Sequence, residues 1–194
     1  MSLILDRTAV TDTPILDVLA ERWSTRIFDP SAAVDETALA SALEAARWAP
    51  SAANTQPTRF IVARRGGAAH AAILGSLMGF NQVWAGDASA LLVIVAETET
   101  EDGIQRPWAL YDAGQAAAHF TVQAHAMGLF THQMGGFTAE AINEAFGLDA
   151  RLRPVAVMAV GALGDAAAVS DVLRERENAP RTRRPIAESL LVDA

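Results

Sequence analysis

The sequence predicts a mixed α/β domain, mostly helical and built around a few buried strands. Trp108 to Met127 keeps helical periodicity longer than any other segment and stops at Gly128, a residue type that closes helices. Ala90 to Ala96 is a continuous apolar run rich in β-branched residues, and Pro154 to Val160 is a second run of this kind. Both read as strands covered on two faces. Ala-rich runs such as Ala45-Ala46 and Ala116-Ala117-Ala118 favour helices that approach each other closely. With 194 residues, 51% hydrophobic and 20% charged, the chain has the length and apolar content of one packed core, and residues 1–194 read as one domain.

Thr13-Pro14 opens the first helix, a cap residue followed by proline at the first helical position. Ile15, Val18 and Leu19 recur at helical spacing with Arg22 on the same face, and the helix ends within Arg22 to Pro30. A second helix runs from an Asp35 cap through Leu39, Ala42, Leu43 and Ala46. It stops before Pro50, because the residue preceding a proline is pushed out of helical geometry. Pro50 to Pro57 is a loop of small polar residues, Arg59 to Ala63 a short strand, and Gly66-Gly67 a turn. Ile73, Leu74 and Leu77 mark a helix ending near Gly79. Beyond the central strand, Glu97 to Asp102 reads as a solvated acidic loop closed by Gly103. Thr138 caps a helix that ends at Gly147, and the tail gathers Arg174, Arg176, Arg181, Arg183 and Arg184. No internal repeat interrupts this order.

Composition removes several kinds of chemistry. There is no Cys, so thiolate nucleophiles, dithiol couples and thiolate metal sites are excluded. Every basic residue is Arg, and the absence of Lys excludes Schiff-base chemistry. Redox work would therefore rest on a bound cofactor. A net charge of −8 repels phosphate backbones and anionic lipid, so neither nucleic acid nor a membrane is an expected partner. No uninterrupted apolar run reaches the roughly 18 residues of a membrane span. Met1 to Arg7 lacks a basic start followed by a long apolar run, which makes a cytoplasmic location the expectation. His70, His119, His125 and His132 show no metal spacing, and no G-x-G-x-x-G follows a strand.

Four short segments carry polar groups suited to a ligand. Arg22-x-Ser24-x-Arg26 sets two guanidinium forks and a hydroxyl at a helix end, a pattern that fits phosphate oxygens and equally a solvated surface. Pro50-Ser51-Ala52-Ala53-Asn54-Thr55-Gln56-Pro57 is stiffened by a proline at each end. Its amides each offer a donor and an acceptor to a heteroaromatic edge, although the same residues are common in plain turns. Gln133-Met134-Gly135-Gly136 lets backbone N–H groups approach a flat ligand, or makes an ordinary turn. Arg181-x-Arg183-Arg184-Pro185 is either a solvated tail or an arm that reaches an anion.

Together and in this order, these segments resemble the nitroreductase family. The resemblance also takes in Trp23 with its neighbours, Asn81-Gln82-Val83-Trp84-Ala85 before the central strand, and Tyr111-Asp112-Ala113-Gly114-Gln115 on the long helix. It extends over nearly all of the chain from about Pro14, and the Pro-Ser-x-x-Asn-x-Gln-Pro loop is its most specific element. It implies an α+β sandwich, with a central, mostly antiparallel sheet flanked by helices, in an interlocked homodimer with FMN at the interface. Arg22, Ser24 and Arg26 would serve the FMN phosphate and the pyrimidine side of the ring, with Trp23 beside them, and Arg181 and Arg183 would complete the phosphate site. Pro50, Ser51, Ala52, Asn54 and Gln56 would line the flavin from the partner subunit, and Asn81 would meet its polar edge. Gln133, Met134, Gly135 and Gly136 would follow the ring, with a backbone N–H of Gly135 or Gly136 offered to N5.

The implied activity is a ping-pong relay, with hydride passing from NAD(P)H to flavin N5 and on to a small acceptor such as a nitroaromatic or quinone. An FMN enzyme of the same fold that oxidises or dehalogenates without NAD(P)H is the alternative, as is a non-catalytic flavin-binding protein. This chain departs from the family pattern at Trp84, where many relatives carry Lys, and at Gly135 and Thr58, where some carry Glu and Trp. The first departure implies a weaker positive charge beside flavin N1, and the others a differently shaped open side.

Overall fold

The structure is a computed structural model that describes residues 6–192; Met1 to Leu5, part of the N-terminal stretch read above, lie outside the described residues. Its centre is a four-stranded sheet of β1 (Thr58–Arg64), β2 (Ala90–Glu97), β3 (Phe130–Met134) and β4 (Leu152–Gly161). The strand order is β1-β2-β4-β3, and every neighbouring pair is antiparallel. The expected α+β architecture is therefore present, with helices on both faces.

β2 divides the core by the two-residue period of a strand. Ala90, Leu92, Ile94 and Ala96 face α2 (Glu36–Arg47) and α5 (Ala109–Ala126), with Phe120 and Met158 beside them. Leu91, Val93 and Val95 face the opposite layer, packing with Ile73, Leu77, Trp84 and Ile142. Burying each of the larger side chains is worth roughly 1.5–3 kcal/mol, so both faces hold the sheet. α2 starts where Asp35 accepts from the N–H groups of Thr37 and Ala38, which satisfies two donors of the first turn. Its buried side presents Ala38, Leu39, Ala42 and Ala46 to the small residues of α5, namely Ala109, Ala113, Ala116 and Ala117. α6 (Ala139–Phe146) ends at Gly147, whose φ of 57° is the left-handed closure that glycine permits.

Several elements differ from the sequence reading. The first helix shrinks to α1 (Asp17–Glu21), because Leu16 takes an extended ψ of 138°. Ile15, Leu16 and Leu19 remain 44%, 70% and 40% exposed, so this apolar face has no core to join within the chain. α3 (Ala68–Ser76) stops before Leu77, which turns extended and bridges Phe137. Glu97 belongs to β2 rather than to a solvated loop, since Arg59, Arg106 and Arg151 converge on its carboxylate. β3, α4 (Asn81–Trp84) and α7 (Asp171–Glu177) carry too few residues for a periodic pattern to mark them. Thr138 precedes α6 without a side-chain cap bond.

One tie sets the path of residues 22–29. Phe28 bridges Leu163, Gly164 N–H donates to Ile27 O at 3.0 Å, and Asp29 N–H donates to Ala162 O at 3.1 Å. A Cβ on Gly164 would lie 2.5 Å from Phe28 O, so only glycine lets this segment lie against the end of β4.

Candidate functional site

The segment from Arg22 to Arg26 runs beside β3. Thr25 is fully buried, and its carbonyl lies 2.9 Å from His132 Nδ1 on β3. A carbonyl only accepts, so Nδ1 carries a proton in this arrangement. The ring packs 4.6 Å from Trp84, and burial pushes its pKa down from 6.5. Trp23 meets Phe130 edge-on at 4.9 Å, and its Nε1–H donates to Glu177 at 2.6 Å. The other Glu177 oxygen accepts from the Arg26 N–H at 2.9 Å, which seats the end of α7 against this segment.

The chain beyond α7 then closes a cleft of about 320 Å³ whose wall carries Arg7, Arg22, Arg26, Arg176, Arg181 and Arg183, with Ser24 among them. None of these arginines forms an ion pair with an acidic side chain among the described residues. Arg181 reaches the carbonyls of Arg7, Ala20 (2.9 Å) and Arg22 (2.8 Å), which leaves two of its five N–H groups over. Arg176 lies over the Phe80 ring at 3.8 Å. Arg22 Nε is buried without a partner, and its guanidinium is held below its ordinary pKa by burial and then by Arg183. Like charges gathered in this way repel, and an anion is the ligand that relieves them.

Asn81 and the glycine pair meet on the opposite side of β3 from α5. The Asn81 amide donates to Gly136 O at 3.3 Å, and Met78 N–H donates to the same oxygen at 2.9 Å. A Cβ on Gly136 would stand 3.2 Å from Asn81 Nδ2, so glycine keeps this approach open. Gly135 is exposed, whereas Met134 turns into the core and Gln133 donates across to Thr121 on α5 at 3.2 Å. Trp84 is also a core side chain, stacked on Phe28 and tilted against His132, and its indole N–H has no partner among the described residues.

The loop holding Pro50, Ser51, Ala52, Asn54 and Gln56 is built on backbone strain. Ala53, Asn54 and Gln56 have φ of 49°, 55° and 47°, a conformation costing L-residues roughly 1–2 kcal/mol each. Polar contacts hold it: Gln56 N–H donates to Ser51 Oγ at 3.0 Å, Ala52 N–H donates to Asp112 Oδ2 at 3.1 Å, and the Arg59 guanidinium donates to Gln56 O at 2.7 Å. Asp112 is only 3% exposed, near the start of α5. A second hollow of about 320 Å³ lies behind this loop, between α2, α5 and Phe60.

The loop and the arginine cleft lie far apart within one chain. The loop precedes β1, at one edge of the sheet and on the α2/α5 face, while the cleft adjoins β3 at the other edge. Three inter-strand spacings, about 14 Å, separate the edges. The structure thus brings Arg22, Trp23, Ser24, Arg26, Arg181 and Arg183 together, joins Asn81 to Gly136, and keeps the Pro50–Gln56 loop away from both. Glu177, Asp112, His132, Arg7 and Arg176 belong to these sites without having been singled out in the sequence as ligand or site residues. Asp112 had a signal, an acid among the apolar residues of a buried helix; Glu177 had none.

The nitroreductase family model matches residues 19–83 and 68–162. The chain belongs to the nitroreductase family. A crystal structure of an oxidoreductase containing FMN superposes on it with a TM-score of 0.85 at 34% identity, covering 92% of this chain and 91% of that one. An uncharacterised 15.4 kDa protein from the ask 5′ region of Mycolicibacterium smegmatis is 40% identical over 132 residues, 64% of this chain and 88% of its own. YdgI of Bacillus subtilis (strain 168), named as a candidate NAD(P)H nitroreductase, is 26% identical over 187 residues, 77% of this chain and 88% of its own.

The residues present fit a flavin phosphate. The cleft offers unpaired guanidinium groups, a buried Arg22 Nε with no acceptor and the Ser24 hydroxyl, and its polar wall suits a charged group. Asn81, Gly135 and Gly136 of this nitroreductase-family chain add amide and backbone groups of the kind that a heteroaromatic edge takes.

Proposed function

We propose that this protein is an FMN-dependent oxidoreductase that passes hydride equivalents from NAD(P)H to a small acceptor, working as a homodimer. The observation that carries the proposal is the cleft of unpaired arginines in a chain whose net charge is −8. Arg22, Ser24, Arg26 and Arg183 would hold the phosphate, helped by the two spare N–H groups of Arg181. Asn81 and the backbone of Gly135 and Gly136 would meet the ring. Bound FMN would supply the hydride-carrying N5 position, the chemistry that a chain without Cys or Lys lacks. The family's FMN-containing solved relative and the name given to YdgI support the cofactor and the reductant respectively.

A second copy of the chain completes this reading. Pro50, Ser51, Ala52, Asn54 and Gln56 lie at the sheet edge opposite the arginines, so they can face the same ligand only from another subunit. The uncovered apolar residues of α1, together with Leu191 and Val192 near the end of the chain, offer the surface that such a partner would bury. The test is an absorbance spectrum of the purified protein, taken before and after anaerobic addition of NADPH and then NADH. A flavin band that bleaches is the expected result. Protein that is colourless and takes up no added FMN overturns the cofactor assignment, and bound flavin that neither nucleotide bleaches overturns the reductant.

A further inference from the structure

Glu177 is a buried carboxylate, 6% exposed, and the acidic residue in the wall of a cleft that carries six arginines. By charge alone it opposes the binding of any anion there. It ends α7, two residues before Ala179, where the arm bearing Arg181 and Arg183 begins. One oxygen accepts from Trp23 Nε1–H at 2.6 Å and the other from Arg26 N–H at 2.9 Å, across 154 and 151 residues of chain. Both donors belong to the Arg22–Arg26 segment. Arg181 ties the arm to Arg22 O, and the Glu177 carboxylate adds a second direct link, to Trp23 and Arg26; bonds of this kind to a carboxylate are charge-assisted and are the strong ones.

We infer that Glu177 is a positioning residue for the phosphate end of the cofactor site: it holds the C-terminal arm and the Arg22–Arg26 segment in register before the ligand arrives. The inference rests on the FMN reading above. The arginines repel one another, and without Glu177 the arm would keep its Arg181 bond to Arg22 O but lose its hold on Trp23 and Arg26, so the anion would have to order that end of the site itself. Orienting the site in advance outweighs the unfavourable charge, which explains an acid at this place.

Charge and positioning predict opposite signs, and this makes the inference testable. Glu177→Gln removes the negative charge and sets an amide NH₂ against one of the two donors. Glu177→Asp keeps the charge but is one methylene too short to reach both. The measurement is the dissociation constant of FMN and of riboflavin, which lacks the phosphate, by flavin fluorescence quenching, with circular dichroism as the check on folding. Positioning requires FMN binding to weaken about tenfold or more in both variants while riboflavin binding changes by less than about twofold. Unchanged FMN affinity in Glu177→Asp, or tighter FMN binding in Glu177→Gln, overturns the inference. If Glu177→Gln does not fold, the Glu177→Asp result decides. A wild-type chain that binds no FMN would fail the parent reading instead, so the two failures are distinct.

Discussion

Arg22 shows how a side chain that looks like a surface cation becomes a ligand candidate. It is half-buried, its Nε has no partner, and Arg183 crowds it. Replacing Arg22 or Arg183 with Ala should weaken FMN binding by about tenfold or more, since each charge-assisted bond is worth roughly 1.5–3 kcal/mol. The melting temperature without ligand should stay close to wild type, because either change also relieves repulsion; unchanged FMN affinity in both variants would disprove the phosphate assignment. His132 carries a pH dependence whose sign follows from its environment. Burial lowers its pKa, as it does for His70 and His125, so the folded chain refuses a proton that the unfolded chain accepts near 6.5. The stabilisation is complete above that pH and is lost as pH falls below it, toward the depressed folded value. His132→Gln should flatten the plot of unfolding free energy against pH below about 6.5, as measured by urea denaturation. An unaltered slope would mean that His132 does not report on this region.

At the level of the element, the loop between Pro50 and Pro57 was legible as a turn but not as a strained one. Its composition shows no glycine at the left-handed positions, and the conformation of Ala53, Asn54 and Gln56 is held by Asp112, Ser51 and Arg59 from outside those residues. Asp112→Ala should cost about 1–3 kcal/mol and expose the loop to proteolysis, while Asp112→Asn, which retains an acceptor, should lose less. Equal proteolysis rates in wild type and Asp112→Ala would show that the loop holds its own shape. Elements with strong local signals were read close to their observed limits: α2 from its Asp35 cap, α5 from its periodicity and Gly128, and α6 from Gly147. Short elements were not, because β3 is edge pairing against β4 and α4 is a single turn. Trp84 corrects an expectation of a different kind. It is packed in the core between Phe28 and His132, where it replaces no charge at the cleft surface.

Across the whole molecule, one chain carries the arginine cleft and the Pro50–Pro57 loop at opposite edges of its sheet. A mixing experiment tests whether they meet across subunits. A chain with Arg22→Ala and Arg183→Ala should bind little FMN, and so should a chain with Ser51→Ala and Asn54→Ala. Refolded together, they should regain about one FMN per mixed dimer, because the intact arginines of one then face the intact loop of the other. Absence of any recovery would place the complete site within a single chain. Size-exclusion chromatography of the wild type checks the dimer independently.

The residues by themselves determined a mixed helix-and-strand domain, the two central strands, α2 with its Asp35 cap, the long α5, and the Arg22–Arg26 and Pro50–Pro57 segments, and the family resemblance added the α+β class. The helices, strands and segments are written in a helical period, a continuous apolar run, a cap, a proline or a short run of polar types, all of which act within a few neighbouring positions. Tertiary structure decided the rest. It added Arg7 and Arg176 to the cleft, set Glu177 between Trp23 and Arg26, seated His132 against the Thr25 carbonyl, and turned Met134 and Trp84 inward. Those contacts join residues more than a hundred positions apart or depend on which side of the sheet a side chain faces. No local pattern encodes them, because the energy that selects them arises only when the layers pack.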